Sequence, residues 1–253
     1  MKKYIRATVK DISEEDEQYK FYLAQSKETS PRVLEQLFEL NEGSVNINLA
    51  WNPKLPSDLA VKLARWDGPG FLEVLSKLSR NPATSGEALA IIAEDPNITS
   101  TIRYHLAEHK NLPVSVQHAL VESYDPDIRF GLAENPSLDV SVMYELADDG
   151  NEDVRNAIAD RDDVPEDLLI KFADDDAEFV RVAVACNPKT PVELLRKLAN
   201  SSEVLVGYYL TRNDNTPVDI LQKLCNSEHR PTRTHAIAAL EHRGIRVDTE
   251  TDE

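Results

Sequence analysis

The stretch Asn187-Pro188-Lys189-Thr190-Pro191-Val192-Glu193-Leu194-Leu195-Arg196-Lys197-Leu198-Ala199 decides the fold. Its second half is a helix start followed by an apolar stripe. Thr190 reads as the N-cap, Pro191 as the first helical residue, and Glu193 as the partner that closes a capping box. Leu194, Leu195, Leu198 and Ala199 share one face at helical spacing. Upstream, residues 178–185 form a second short helical run that stops at Asn187, because a proline disfavours helical geometry in the residue before it. Polar turns such as Asp174-Asp175-Asp176 and Asn200-Ser201-Ser202 separate the two kinds of helix. The leucine helix is termed A and the run ending at Asn-Pro is termed B.

The pair recurs at Asn52-Pro53, Asn81-Pro82 and Asn135-Pro136, with Asn213-Asp214 in the same phase. Each is preceded by an aliphatic residue and then a small one, as in Leu49-Ala50, Leu78-Ser79, Leu132-Ala133, Val184-Ala185 and Leu210-Thr211. Leu106-Ala107 and Ile158-Ala159 keep the frame without the pair. With the aliphatic residue as origin, units start at 23, 49, 78, 106, 132, 158, 184 and 210, and a truncated one starts at Ile237. The helix A start recurs at Thr84…Glu87 and Thr216-Pro217…Asp219, with partial versions at Ser30-Pro31 and Val164-Pro165…Asp167. A period in this range is the mark of stacked solenoid units, none of which buries its apolar stripe alone. The expected fold is all-α, a right-handed superhelical solenoid of about eight two-helix repeats of ~26 residues. Residues 1–22 read as an N-terminal segment and capping helix, 23–240 as the repeat body and 241–253 as an acidic tail. Tyr4–Val9 alternates weakly, Ser13 with Asp16 marks the start of the capping helix, and Asp67-Gly68-Pro69-Gly70 is a loop insertion.

The pattern Asn-Pro-x-Thr-Pro-x-Glu-Leu-Leu-x-x-Leu-Ala, followed by Val-Arg about a dozen residues on, resembles the leucine-rich repeat variant family, a relative of the HEAT-like solenoids. The resemblance spans roughly residues 23–240 and implies a superhelix of alternating longer helices and shorter helical or 3₁₀ segments. It implies a binding surface without naming a client, since such solenoids serve many. Some members carry an iron–sulfur cluster on an N-terminal cysteine group. Residues 1–185 contain no cysteine, so no cofactor is carried over.

Composition narrows the function further. The chain of 253 residues has 28 Lys and Arg against 45 Asp and Glu, a net charge of −17, which argues against direct binding to nucleic acid. Two cysteines, Cys186 and Cys225, make neither a disulfide framework nor a zinc ribbon. No apolar run approaches a membrane helix, and the start lacks the apolar stretch of a secretory signal, so a cytoplasmic location is expected. There is no P-loop, G-x-G-x-x-G or G-x-S-x-G. A non-catalytic reading follows.

Arg103, Arg129, Arg155 and Arg181 sit three residues before four successive origins. They read as a structural ladder, each reaching a carboxylate or carbonyl of the adjacent unit. The Asn series reads likewise as structural, its amides bonding turn backbone. Residues 106–183 hold 20 Asp and Glu against 6 Lys and Arg. Positions two before and two after each origin are expected to be exposed on helix B. The first set holds Tyr104, Phe130, Asn156, Val182 and Tyr208. The second holds Trp51, Arg80, Glu108, Glu134, Asp160, Cys186 and Arg212. From these, Trp51, Tyr104, Glu108, Phe130, Glu134, Asn156, Asp160, Tyr208 and Arg212 form the candidate partner-binding set. If helix B lines the concave side, they suit a protein or basic peptide. One alternative is an acidic inhibitor that imitates nucleic acid and occupies the basic groove of a DNA- or RNA-binding protein. Another is a metal-dependent enzyme, since His105-Leu106-Ala107-Glu108-His109 matches H-x-x-E-H, although Leu106-Ala107 is also an ordinary unit origin.

Overall fold

The computed structural model describes Ile12 and residues 15–247; Tyr4–Val9, Ser13 and the last six residues lie outside that range. Between Glu17 and His242 it forms seventeen helices, with no strand among the described residues. Two compact units divide the chain, Met1–Asp139 and Val140–Glu253. No helix among the described residues is long and apolar enough to cross a membrane.

In the first unit the B helices are α1 (Glu17–Gln25), α3 (Gly43–Leu49), α5 (Phe71–Arg80), α7 (Ser100–Ala107) and α9 (Pro126–Ala133). The A helices between them are α2 (Pro31–Phe38), α4 (Ser57–Ala64), α6 (Gly86–Glu94) and α8 (Val114–Val121). Each B helix packs on the B helix before it. The second unit repeats the plan. Its A helices are α10 (Val140–Leu146), α12 (Glu166–Phe172), α14 (Val192–Leu198) and α16 (Val218–Leu224). Its B helices are α11 (Glu152–Ala159), α13 (Glu178–Cys186), α15 (Val204–Leu210) and α17 (Arg230–His242), stacked in that order. In this unit the A helices are the shorter or equal partners. Helix α14, of type A, has 7 residues and its type B neighbour α13 has 9.

Such helices are too short to persist alone in water, where roughly 12–15 residues are marginal. Burial between neighbours holds them. The origin residues Leu49, Leu78, Leu106, Leu132, Ile158, Val184 and Leu210 are all 0% exposed. The last, truncated unit departs from the expected register. Ala236 is the buried residue and Ile237 is half-buried, so the core register continues one residue earlier than the sequence pattern placed it.

The Asn series explains how one unit grips the next. Asn81 Nδ2 donates to the carbonyls of Ala50 and Asn52, both at 2.9 Å, and Asn81 Oδ1 accepts the Ala83 N–H at 3.0 Å. Asn52 does the same to Ala24 and Ser26, and Asn135 to Ala107 and His109. In the second unit Asn187 reaches Ala159 and Arg161, and Asn213 reaches Ala185 and Asn187, all at 2.9 Å. These amides are buried, and each braces the preceding unit as well as its own turn. One of the two bonded carbonyls belongs to the small residue after the origin, and the other to the residue two positions further on.

Thr190 is not the cap that the sequence indicates. Helix α14 begins after Pro191, and buried Thr190 donates its hydroxyl to the Val184 carbonyl at 2.5 Å. Thr84 and Thr216 do the same to Leu78 and Leu210. A buried carbonyl has no water to turn to, whereas the first N–H groups of an exposed helix end do. At the start of α1, Asp16 caps the helix by accepting the Tyr19 N–H at 2.9 Å. The insertion after α4 is a loop, as expected, with Gly70 at φ +88°. At the other end Gly244, at φ +77°, closes α17, with the Ile245 N–H returning to the Leu240 carbonyl.

Asn81→Asp puts a carboxylate oxygen against two carbonyls where an NH₂ donated. It is expected to lower the unfolding free energy by about 2–4 kcal/mol in a urea titration. A loss below about 0.5 kcal/mol would remove the brace from the account of stability.

Candidate functional site

The brace leaves the C-terminal ends of the B helices side by side, and it has one substitute in the first unit. His109 stands where other units carry Asn. Its Nε2 lies 2.9 Å from the Asn81 carbonyl, and its Nδ1 accepts the Asn111 N–H at 3.1 Å. The ring copies the two roles of the amide, which places its proton on Nε2. Burial pushes its pKa below the usual histidine value, and the neighbouring Lys110 adds to the effect. Both ring nitrogens are engaged, so His109 has no lone pair left for a metal. His105 lies half-buried, its Nδ1 3.9 Å from Glu108 Oε2. The H-x-x-E-H match therefore falls on a unit brace, because the repeat register itself brings the pair together.

In the arginine series, Arg155 and Arg181 reach carboxylates of the next repeat, and Arg129 bonds a carbonyl of its own repeat. Arg155 forks onto Asp175 with two bonds of 2.7 Å, adds Asp176 at 2.7 Å, and donates Nη1 to the Asp149 carbonyl at 2.8 Å. Arg181 pairs with Glu203 and donates to the Asp175 carbonyl. Arg129 donates to the Ser123 carbonyl at 2.6 Å. In each case the carbonyl lies six residues back, in the turn that leads into helix B. Arg103 is the exception, half-buried and making no such contact among the described residues. Its turn, Pro96-Asn97-Ile98-Thr99, differs in sequence from the acidic turns of the later units. Two members escaped the sequence reading. Arg233 donates to the Ser227 carbonyl at 2.7 Å, and Lys20 bonds Glu42 at 3.0 Å. A second series on the A helices escaped it too. Lys171 reaches Asp148, Lys197 reaches Asp174, and Lys223 reaches the Ala199 carbonyl. Their spacing of 26 residues was the available signal.

The two candidate series on helix B behave differently. After the origin, Trp51, Arg80, Glu108, Glu134, Asp160 and Arg212 are exposed, and Cys186 is half-buried. Before it, Tyr104, Phe130, Asn156 and Tyr208 are only half-buried, and Val182 is buried at 8% exposure. Tyr104 and Tyr208 each lie against the next B helix, Tyr104 beside Gly131 and Tyr208 beside His235. In the first unit Tyr104 donates its hydroxyl to Glu108 Oε1 at 2.9 Å. That bond, with burial and the carboxylates of Glu108, Glu134 and Asp127, pushes the tyrosine pKa up. Gly131 makes room for the ring, since a Cβ there would lie 3.2 Å from Tyr104 Cε2. Trp51 lies under two cations, Lys77 Nζ at 5.8 Å and the Arg80 guanidinium at 5.6 Å from its ring centre.

In the second unit Tyr208 packs edge-on against Tyr209 and His235, with ring centres at 5.3 and 4.9 Å. The Arg212 guanidinium stands 5.9 Å from the Tyr208 ring centre. Burial and the Asp160 carboxylate push the Cys186 thiol up, while Arg212 pulls the other way. Burial and Asp162 raise the Asp160 carboxyl. Cys186 and Cys225 are both free thiols.

His109→Asn separates the brace from its titration. The folded-state pKa of His109 is depressed, so its contribution is present above about pH 6.5 and is lost as pH falls through the folded value. The natural chain is expected to lose thermal midpoint relative to His109→Asn between pH 7 and pH 5. Identical midpoint slopes in the two proteins would contradict that role. Arg155→Ala, which strands Asp175, is expected to cost about 2–3 kcal/mol. Arg103→Ala is expected to stay within about 0.5 kcal/mol, both read by denaturant unfolding.

No protein-family model matches the chain, and no curated protein matches it. Among solved structures it is similar to one described as a leucine-rich repeat variant with a novel repetitive protein structural motif. The identity is 22%, the TM-score is 0.57, and the match covers 83% of this chain and 82% of that one. The helical repeats stacked within each unit and this likeness together establish that the chain has the repeat fold of a leucine-rich repeat variant.

Proposed function

We propose that this chain is a non-catalytic scaffold that binds a basic peptide or the basic face of a protein through the exposed ends of its B helices. The observation that carries the reading is how the carboxylates are divided. Asp148, Asp174 and Asp175 are consumed by the lysine and arginine series, which hold the repeats together. Glu134 and Asp160, at the ends of B helices, are exposed, and their side chains make no ion pair or hydrogen bond among the described residues. Half-buried Tyr104 and Phe130 flank Glu134 in the first unit, and Asn156 accompanies Asp160 in the second. Aromatic groups of this kind anchor a partner, while free carboxylates steer its approach.

An acidic imitation of nucleic acid is less well supported. It needs unbroken negative charge, and the series Asp160, Cys186, Arg212 changes sign over three successive repeats.

The test is the triple variant Glu108→Gln/Glu134→Gln/Asp160→Asn with a synthetic peptide alternating lysine or arginine with leucine. Association is expected to slow roughly 10-fold at low salt, with the thermal midpoint little changed. Association that is unchanged and insensitive to salt would overturn the reading.

A further inference from the structure

The first unit carries a cleft whose charge is opposite to that of the acidic block. One part, about 460 Å³, lies between Gln25, Trp51, Pro53 and Pro82. Another, about 370 Å³, shares Pro82 and is lined by Arg80, His105, Glu108 and Lys110. Trp51 is 44% exposed, and with the two prolines it gives the first part an apolar floor. Lys110 stands in the register that Pro53, Pro82, Pro136 and Pro188 occupy in other units, so this one turn presents an ammonium group at the cleft.

The cations here differ from those of the repeat-linking series in holding no carboxylate. Lys20, Lys62, Arg155, Lys171, Arg181 and Lys197 each hold a carboxylate. Lys77 and Lys110 hold none among the described residues, and Arg80 bonds only the Ser76 carbonyl through Nε at 3.3 Å besides lying over Trp51. Glu108 is the carboxylate among the lining residues, and it already accepts from the Tyr104 hydroxyl. In a chain with 45 acidic against 28 basic residues, cations without carboxylates beside an exposed indole are a poor stabilising device and a good anion receptor.

We propose that this cleft docks an extended acidic peptide segment, with a carboxylate between Arg80 and Lys110 and an apolar side chain on Trp51 and Pro82. The proposal rests on the reading that B-helix ends form a docking face, and it assigns the opposite partner charge to the N-terminal part of that face. A partner serving both parts presents acidic residues to this cleft and basic ones to Glu134.

The test uses the full chain with Trp66→Phe, which leaves Trp51 as the sole tryptophan reporter. The probe is a synthetic peptide alternating glutamate with leucine and proline, set beside its lysine counterpart. The glutamate peptide is expected to change Trp51 fluorescence saturably, and its affinity is expected to fall roughly 10-fold or more in Arg80→Glu/Lys110→Glu and at high salt. Arg80→Gln/Lys110→Gln, which avoids an acid at a helix C-terminus, is expected to give a smaller loss. No saturable change, an equal response to the lysine peptide, or an affinity untouched by charge reversal would each overturn the proposal. Failure here with the basic peptide still binding at Glu108, Glu134 and Asp160 leaves the scaffold reading standing. Failure of both peptides removes both.

Discussion

Every helix in this protein ends before it has satisfied its own backbone. An α-helix leaves its last four carbonyls without intrahelical partners, and in a helix of seven or eight residues that is half of them. The B helices bury those ends, so each carbonyl must find a donor. A single asparagine solves the problem for two carbonyls at once. Its NH₂ carries two hydrogens, and the carbonyls of the small residue and of the brace residue in the preceding unit lie two positions apart in the chain. Asn81 onto Ala50 and Asn52, and Asn213 onto Ala185 and Asn187, repeat the same geometry in separate parts of the molecule. The threonines at 84, 190 and 216 cover a third carbonyl. Stacking and backbone satisfaction are therefore one event, and the helices need each other for more than apolar burial.

The same constraint explains the tolerated exceptions. His109 offers an N–H donor and a lone-pair acceptor at nearly the positions of the amide groups, so the brace survives the change of residue. The cost is a titratable group in a buried place. Arg243 closes the chain in another way, donating to the carbonyls of Thr216 and Asp214 from beyond the end of α17. Around this neutral brace runs a charged one. Arg155 and Arg181 staple the A-to-B turns, and Lys171 and Lys197 link consecutive A helices. The exposed lysine pairs contribute little individually. Their larger effect is on where negative charge remains, because they neutralise one side of the repeat and leave the B-helix ends open.

Much of this was legible before any coordinates. Leu49-Ala50…Asn52-Pro53 and its recurrences gave the unit length, the two helices and the buried origin, because burial of one aliphatic residue per turn of the repeat leaves a periodic trace. The loop at residues 67–70 was legible from glycine and proline alone. The errors have a common source. Thr190-Pro191 matches a capping signal, yet the hydroxyl goes to Val184 because the unfilled acceptor is buried and the helix start is wet. Helical geometry puts Val182 on the exposed face, yet it is buried. His105 and His109 looked like a ligand pair, and the Asn81 carbonyl claims one of them.

The period, the helical class and the core residue of every unit but the truncated last one follow from apolar spacing and proline chemistry within about two dozen residues of chain. Only the tertiary structure decided which polar groups are spent on neighbours and which remain free. Asn81, Arg155 and Lys171 find partners 20 to 31 residues away, whereas Arg80, Lys110 and Glu134 find no carboxylate or cation at all among the described residues. A hydrogen bond between units depends on distances set by packing, and no pattern within one unit encodes them.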